Sequence, residues 1–97
     1  MYIATAIQKH HVAYRRYKEL SKAGRGSALQ EVYPDSYSGK SALMNIDWWV
    51  KETVPKFTSV ILDFANGNKN KATYTEIEIE VIDNLYLLKM GREAPWK

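Results

Sequence analysis

Apolar residues recur at the spacing of an amphipathic helix along the first part of the chain. In residues 2–22 they share one face when successive residues are placed about 100° apart. The positions on this face are Ile3, Ala6, Ile7, His10, Ala13, Tyr14, Tyr17 and Leu20. Gly24 and Gly26 follow, at the place where a helix is expected to stop. The pattern predicts a helix over 2–22 with one core face, and with His10 at the edge of the core.

A second apolar face runs through residues 41–65, with Ser41 as the expected cap and Pro55 in the interior. Its phase is the same before and after Pro55, which favours one kinked helix. Two helices, with Pro55 in the first turn of the second, are the alternative. Between the two long segments, Ser27 to Gln30 has the form of a capping box and predicts a short helix that ends near Pro34.

Residues 73–90 fit two structures. Thr75, Ile77, Ile79 and Val81 alternate with glutamates, as in a half-buried strand. Thr73 and Glu76 have the spacing of a capping box, and Gly91 stands where a helix would end. We therefore predict an all-α fold, a small bundle of about three helices with a kinked central helix. The alternative is an α+β fold with a C-terminal β-hairpin over residues 73–90.

Length and composition limit the kind of protein. The chain has 97 residues, of which 45% are apolar and 26% charged, as expected of a single globular domain over residues 1–97. It has no cysteine, which excludes disulfides, thiolate metal sites and cysteine nucleophiles. No apolar run approaches the length of a membrane span, and no signal-peptide pattern occurs at the start. We expect a cytoplasmic protein without membrane contact.

Basic residues are concentrated at the start of the chain. Residues 1–27 hold six lysines and arginines against one acid, Glu19, although the net charge of the whole chain is only +3. Such a face is suited to phosphate groups, so that nucleic acid or a small phosphate ligand such as a nucleotide is one predicted partner. The candidate residues are His11, Arg15, Arg16, Lys18, Lys22 and Arg25. A solvated helix face explains the same pattern.

No motif supports catalysis strongly. His10 and His11 are adjacent and point about 100° apart on a helix, so that they cannot chelate one ion, and the Ser38 to Ser41 segment lacks the first glycine of a phosphate-binding loop. We therefore assign no catalytic residue, metal or cofactor. One alternative remains, a Mg²⁺-dependent nucleotide hydrolase that uses Glu76, Glu80 and Asp83 on one helix face. Their spacing resembles the ExxD half of the all-helical nucleotide pyrophosphohydrolases, whose companion EExxE element is absent.

The central helix carries a second apolar stripe, formed by Met44, Trp48 and Leu62. Seven tyrosines, three tryptophans and two phenylalanines exceed what one small core readily encloses. We therefore predict a non-enzymatic binding protein that forms a homo-oligomer or contacts a protein partner through Met44, Trp48, Leu62 and Trp96. It would act by occluding or sequestering that partner, as a phage-type inhibitor of a host system does.

Overall fold

The computed structural model describes residues 3–35 and 37–97. These ranges contain five α-helices, namely α1 (Ile3–Lys22), α2 (Ala28–Val32), α3 (Tyr37–Thr53), α4 (Thr58–Ala65) and α5 (Glu76–Met90). Short 3-10 turns occupy Val54–Lys56 and Lys71–Thr73. The described ranges contain no strand, so the all-helical prediction is confirmed and the alternative with a C-terminal hairpin over 73–90 is wrong. The three predicted long segments correspond to α1, to α3 with α4, and to α5.

Helix α1 is the centre of the bundle, because α2, α3 and α5 all pack against it. Its predicted apolar face is the one that the core buries. The core cluster consists of Ala6, Ile7 and Tyr14 from α1, Leu43 and Ile46 from α3, and Leu88 from α5. Ile7, Leu43 and Ile46 are completely buried. Burial of this apolar surface is the main stabilising contribution in a chain that has no cysteine for disulfides.

The segment after α2 is held against α1 by a polar contact. Half-buried His10, at the edge of the core as predicted, shares a hydrogen bond between its Nδ1 and the hydroxyl of Tyr33. The Tyr33 ring lies directly over Gly39, where a Cβ atom would overlap it. Glycine therefore allows the first turn of α3 to approach Tyr33, which links α1, α2 and α3 at one point.

The predicted interruption at Pro55 is confirmed, but the segment forms two helices, the alternative considered, rather than the single kinked helix that was favoured. Pro55 lies in the first turn of the 3-10 segment Val54–Lys56, because it has no N–H to continue the hydrogen bonds of α3. The hydroxyl of Thr58 donates to the carbonyl of Val54 at 2.9 Å and closes the turn before α4. The predicted start of this helical segment at Ser41 is wrong, since α3 begins at Tyr37.

The two capping boxes predicted from the sequence are both wrong in their residues. The box of α5 is formed by Thr75 and Glu78, two residues later than predicted, with the Thr75 N–H donating to the Glu78 carboxylate at 2.8 Å. Thr73 instead donates its hydroxyl to the carbonyl of Asn70 at 2.8 Å, within the 3-10 turn. Before α2, Ser27 makes no side-chain cap, and Gln30 donates to the carbonyl of Pro34 at 2.8 Å.

The molecule is elongated, which leaves part of the bundle thinly covered. Its principal extents are 43, 27 and 22 Å, and its radius of gyration is 14.3 Å. A compact chain of this length is expected to have a radius of gyration of about 12.5 Å. Helix α4 packs mainly on α5. None of the helices in the described ranges is both long and apolar enough to cross a membrane.

Candidate binding surfaces

An apolar groove lies between α4 and α5, beside the end of α3. It encloses about 480 Å³. Its lining residues are Val50, Val54, Ile61, Phe64, Ala65, Lys69, Ile82, Leu85, Tyr86, Lys89 and Met90. The only charged side chains in this lining are two lysines. A concave apolar surface of this kind is the usual form of a binding site for a ligand or a peptide.

The sequence of α5 explains why this groove is apolar. Ile82, Leu85 and Lys89 follow one another at helical spacing and line the groove. Leu88 lies on a different face of the same helix and enters the core against α1. Helix α5 therefore has two apolar faces, one packed on α1 and one that forms the buried floor of the groove beside α4.

The groove continues toward Trp48 on α3. A second hollow is lined by Lys18, Asp47, Trp48, Val50 and Lys51, so that Val50 belongs to both depressions. Trp48 is 63% exposed, and Met44, one helical turn earlier, is 61% exposed. The groove and this hollow meet at Val50, and we call their combined lining the groove surface. An exposed apolar surface of this kind is typical of interaction sites.

The groove surface has a basic rim. Lys18, Lys51, Lys69 and Lys89 stand along it. Its only acid is Asp47, whose carboxylate accepts the hydroxyl of Tyr14 at 2.9 Å and the ammonium of Lys18 at 3.5 Å. Burial, and then the hydrogen bond to Asp47, raise the pKa of Tyr14, so this phenol stays protonated and remains a donor. The remaining lysines give the rim a net positive charge.

The residues predicted to bind a partner do not all lie together. Met44 and Trp48 share the outer face of α3. Leu62 is 55% exposed on α4, although it does not line the groove. Trp96 packs inside the chain, with its ring centre 4.9 Å from that of Phe64 and its indole N–H donating to Asp83 at 2.7 Å. Through these contacts, Trp96 holds the C-terminal segment against α4 and α5.

The predicted phosphate-binding residues are divided among several surroundings. Three of them pair with acids: Arg16 with Glu19 at 3.7 Å, Lys18 with Asp47 at 3.5 Å, and Arg25 with Glu31 at 2.5 Å. The guanidinium of Arg15 reaches the end of α5 and lies 2.7 Å from the position a Cβ atom would take on Gly91. His11 forms a hydrogen bond with the carbonyl of Gln8, within its own helix. Lys22 lies in the last turn of α1. His11, Arg15, Lys18 and Lys22 recur at helical spacing along α1, and part of the charge of the set is paired with acids.

The alternative metal and phosphate sites are not assembled. Among the described residues there is no group of three or more His, Cys, Asp or Glu side chains that could hold a metal ion, so Glu76, Glu80 and Asp83 do not form the magnesium site considered above. The Asp83 carboxylate instead accepts the Trp96 indole. Gly39 and Lys40 lie inside α3 rather than in a loop before a helix, and Lys40 donates to Gln30 at 2.9 Å.

The α5 side of the groove was not predicted from the sequence. Ile82, Leu85 and Tyr86 line it, and none of the three was selected as a contact residue. One signal was present in the sequence, because α5 has apolar residues around most of its circumference. A helix that is apolar on all sides is expected to be central or to face a partner. This all-round apolar pattern was not used as a prediction, because residues 73–90 fitted both a helix and a hairpin.

Comparisons with protein-family models, with curated proteins and with solved structures found no match. No residue role is therefore transferred from a known protein. The shape, exposure and charge of the surfaces described above are the basis for a functional proposal.

Proposed function

We propose that this protein is a non-enzymatic interaction module, and that its groove surface binds an amphipathic helix of a partner protein with acidic residues beside its apolar face. The observation that carries the proposal is the lining of the groove, which is apolar except for Lys69 and Lys89. Apolar side chains of the partner would fill the groove, and its carboxylates would face the lysines. The protein would act by covering this helix of its partner.

A helix fits the geometry better than an extended strand. The described ranges contain no strand, so there is no sheet edge to which an extended peptide can add. The α5 side of the groove runs from Ile82 to Met90, about 12 Å at 1.5 Å per residue. Two to three turns of a partner helix cover that length, with apolar anchors at positions i, i+3, i+4 and i+7.

Trp48 supports a protein as the partner. Tryptophan is among the residues that contribute most to protein interfaces, because it buries much area for little lost conformational entropy. Its exposure of 63% leaves most of that area available. The rim lysines add specificity and faster association more than affinity, since exposed ion pairs contribute little on their own.

Binding of a designed peptide tests the proposal. The probe is a fluorescent helical peptide with leucines on one face and glutamates on both sides, and its control is the same composition with the leucines scattered around the helix. We expect saturable binding of the probe alone, measured by fluorescence anisotropy and weakening as salt rises. Equal binding of both peptides, or of neither, would contradict the proposal.

Two variants of α5 locate the site. Met90 lines the groove and is 50% exposed, whereas Ile77 lies outside it at the other end of α5 and is 61% exposed. Met90→Glu should weaken the probe by about tenfold, equivalent to about 1.4 kcal/mol, because it places a carboxylate against apolar and acidic groups. Ile77→Glu is the matched control and should leave binding unchanged. If both variants lose probe binding equally, the peptide does not bind in the groove.

Sedimentation of the protein alone separates a partner from self-association. A monomer that binds the probe supports the proposal. A dimer that Met90→Glu dissociates, while Ile77→Glu does not, would show that a second copy occupies the groove. That result would overturn the assignment to an acidic partner helix.

A further inference from the structure

A second cavity lies where α1, α5 and the C-terminal segment meet. It encloses about 280 Å³ and shares no lining residue with the groove. Polar side chains surround it, and those that matter here are Gln8, Lys71, Asp83, Asn84, Glu93 and Trp96. Its volume is close to the lower limit of about 300 Å³ for ordinary ligand pockets. A cavity of this size and polarity is suited to a small, polar molecule.

Asn84 is the unusual residue of this cavity. It is 5% exposed and is the one buried polar residue in the described core. Its neighbours on α5, Val81, Ile82, Leu85 and Leu88, are all buried and apolar. The side-chain amide makes no hydrogen bond to any other residue of the described ranges, and its polar atoms are accessible rather than sealed. Asn84 lines this cavity and also a hollow beside Trp49 and Ile77. An accessible amide at the wall of a cavity can pair with water or with a bound molecule there.

The charged groups around Asn84 have both signs. Asp83 and Glu93 contribute carboxylates to the lining, and Lys71 contributes an ammonium group. The Asp83 carboxylate accepts the Trp96 indole N–H at 2.7 Å, which leaves its other oxygen for a ligand. The Lys71 nitrogen lies 5.8 Å from the centre of the Trp96 ring. Anionic and cationic groups are thus present within one small cavity.

We propose that this cavity binds a small zwitterion with a primary ammonium and a carboxylate, as in a free α-amino acid. Asp83 and Glu93 hold the ammonium group, Lys71 holds the carboxylate, and the Asn84 amide donates to the ligand and accepts from it. A simple amine would leave Lys71 without its counter-charge, and a simple carboxylate would leave the two acids without theirs. The zwitterion is therefore the ligand class that satisfies every charged group of the lining.

The ligand would also fasten the C-terminal segment. Glu93 and Trp96 belong to this segment, whereas Asp83 and Asn84 belong to α5. The segment is already held by the Trp96 indole on Asp83 and by the Lys97 N–H, which donates to the carbonyl of Lys69 at 2.9 Å. A molecule that contacts both walls would strengthen this attachment. The Trp96 indole N–H is therefore a direct reporter of binding.

The test is a titration of the full chain with small molecules, monitored by NMR at the Trp96 indole N–H signal. A Trp96→Phe variant assigns that signal. The probes are a panel of free α-amino acids, with ethylamine and acetate as compounds that carry one charge each. We expect a saturable shift with at least one amino acid and at least about tenfold weaker binding of the single-charge compounds. A shift with none of the amino acids, or equal binding of ethylamine or acetate, would overturn the proposal.

Variants of the lining complete the test. Asn84→Leu removes the amide at similar volume and should fold with similar stability, because the amide makes no hydrogen bond to the other described residues. It should weaken the amino acid by about tenfold or more, and Lys71→Gln should weaken it while changing the ligand preference toward ethylamine. Lys56→Gln removes an exposed lysine outside the cavity and should change nothing. A folded Asn84→Leu protein that binds the amino acid as tightly as the original would refute the role of the amide.

Discussion

The two apolar faces of α5 are treated differently by the fold. On the face toward α1, Leu88 is 4% exposed and belongs to the core with Ile7, Leu43 and Ile46. On the face toward α4, Ile82 and Leu85 are also buried, at 3% and 8% exposed, and form the floor of a groove whose edge is exposed, with Met90 at 50%. The difference follows from the partners, because α1 has twenty residues and contacts three helices, whereas α4 has eight residues and packs mainly on α5. The α1 side is closed over its apolar residues, whereas the α4 side leaves apolar surface exposed at the edge of the groove.

The hydrogen bonding of polar side chains also differs between these two sides of the molecule. Between α1 and α3, the Asp47 carboxylate accepts from both Tyr14 and Lys18. Near the C-terminal segment, the buried amide of Asn84 makes no hydrogen bond to the described residues. Buried polar groups in folded proteins are normally paired. The groove and the Asn84 amide both lie on α5, which is where the two proposals place binding.

The largest expected effect distinguishes core from surface on α3. Leu43 is fully buried and Met44, its neighbour, is 61% exposed. Leu43→Ala should lower the free energy of unfolding by about 2–5 kcal/mol, because it leaves a cavity between three helices. Met44→Ala should change it by less than about 0.5 kcal/mol. Urea unfolding followed by circular dichroism measures both, and similar losses would show that Met44 is covered in solution.

Two tryptophans provide the next comparison. Trp96 contacts Phe64, Tyr74 and Asp83 within the chain, whereas Trp48 is 63% exposed. Trp96→Ala should lower the free energy of unfolding by about 2 kcal/mol, less than for a fully buried ring, since Trp96 is only half-buried. Trp48→Ala should leave the free energy of unfolding nearly unchanged and weaken the helical probe peptide. A stable Trp96→Ala protein would show that the C-terminal segment adds little to the fold.

A smaller effect is expected at the contact between Tyr33 and Gly39. Alanine normally favours a helix over glycine by about 1 kcal/mol. Gly39→Ala should nevertheless lower the free energy of unfolding by about 1 kcal/mol, because its Cβ atom would displace the Tyr33 ring and weaken the hydrogen bond to His10. The matched control is Tyr33→Ala/Gly39→Ala, in which the second substitution no longer meets the ring. If Gly39→Ala alone is stabilising, the ring has room to move.

Local signals in the sequence were sufficient for the elements of this fold. The spacing of apolar residues predicted the face of α1 that is buried, and Pro55 marked the division between α3 and α4. Cap positions were less predictable, because several polar residues compete for the same role. Thr73 and Thr75 both precede acids at capping-box spacing, and only the geometry of the preceding 3-10 turn selects Thr75.

The candidate sites could be predicted only in part, because they depend on contacts between distant segments. Exposure of Met44 and Trp48 followed from the second stripe on one helix. The groove requires α4 to return along α5, and the Asn84 cavity requires the C-terminal segment to fold back through Trp96. The periodicity of one helix does not show which distant segments pack against it, so neither of these contacts could be predicted. The basic face of α1 was visible for the same local reason, and the structure distributes its charges among Glu19, Asp47 and Glu31.

The smallest expected effect is a pH dependence of the free energy of unfolding, which arises from His10 on α1. Burial, and then the nearby Lys9, lower the pKa of His10 below its ordinary value of 6.5. Below that value the unfolded chain takes up a proton at His10 more readily than the folded protein does. The His10 contribution to the free energy of unfolding should therefore decline as pH falls from about 7.5 to 5.5, a range above that in which most carboxylates titrate.

Urea unfolding at several pH values measures this decline, and His10→Gln is the informative variant. Glutamine keeps a polar group near the Tyr33 hydroxyl but does not titrate, so the pH dependence that His10 contributes should disappear. A His11→Gln variant keeps His10 and should keep that contribution. If the slope is the same in the original protein and in His10→Gln, the histidine is solvated in the folded state. The contact between α1 and Tyr33 would then be looser than the tightly packed α1 side of the molecule requires.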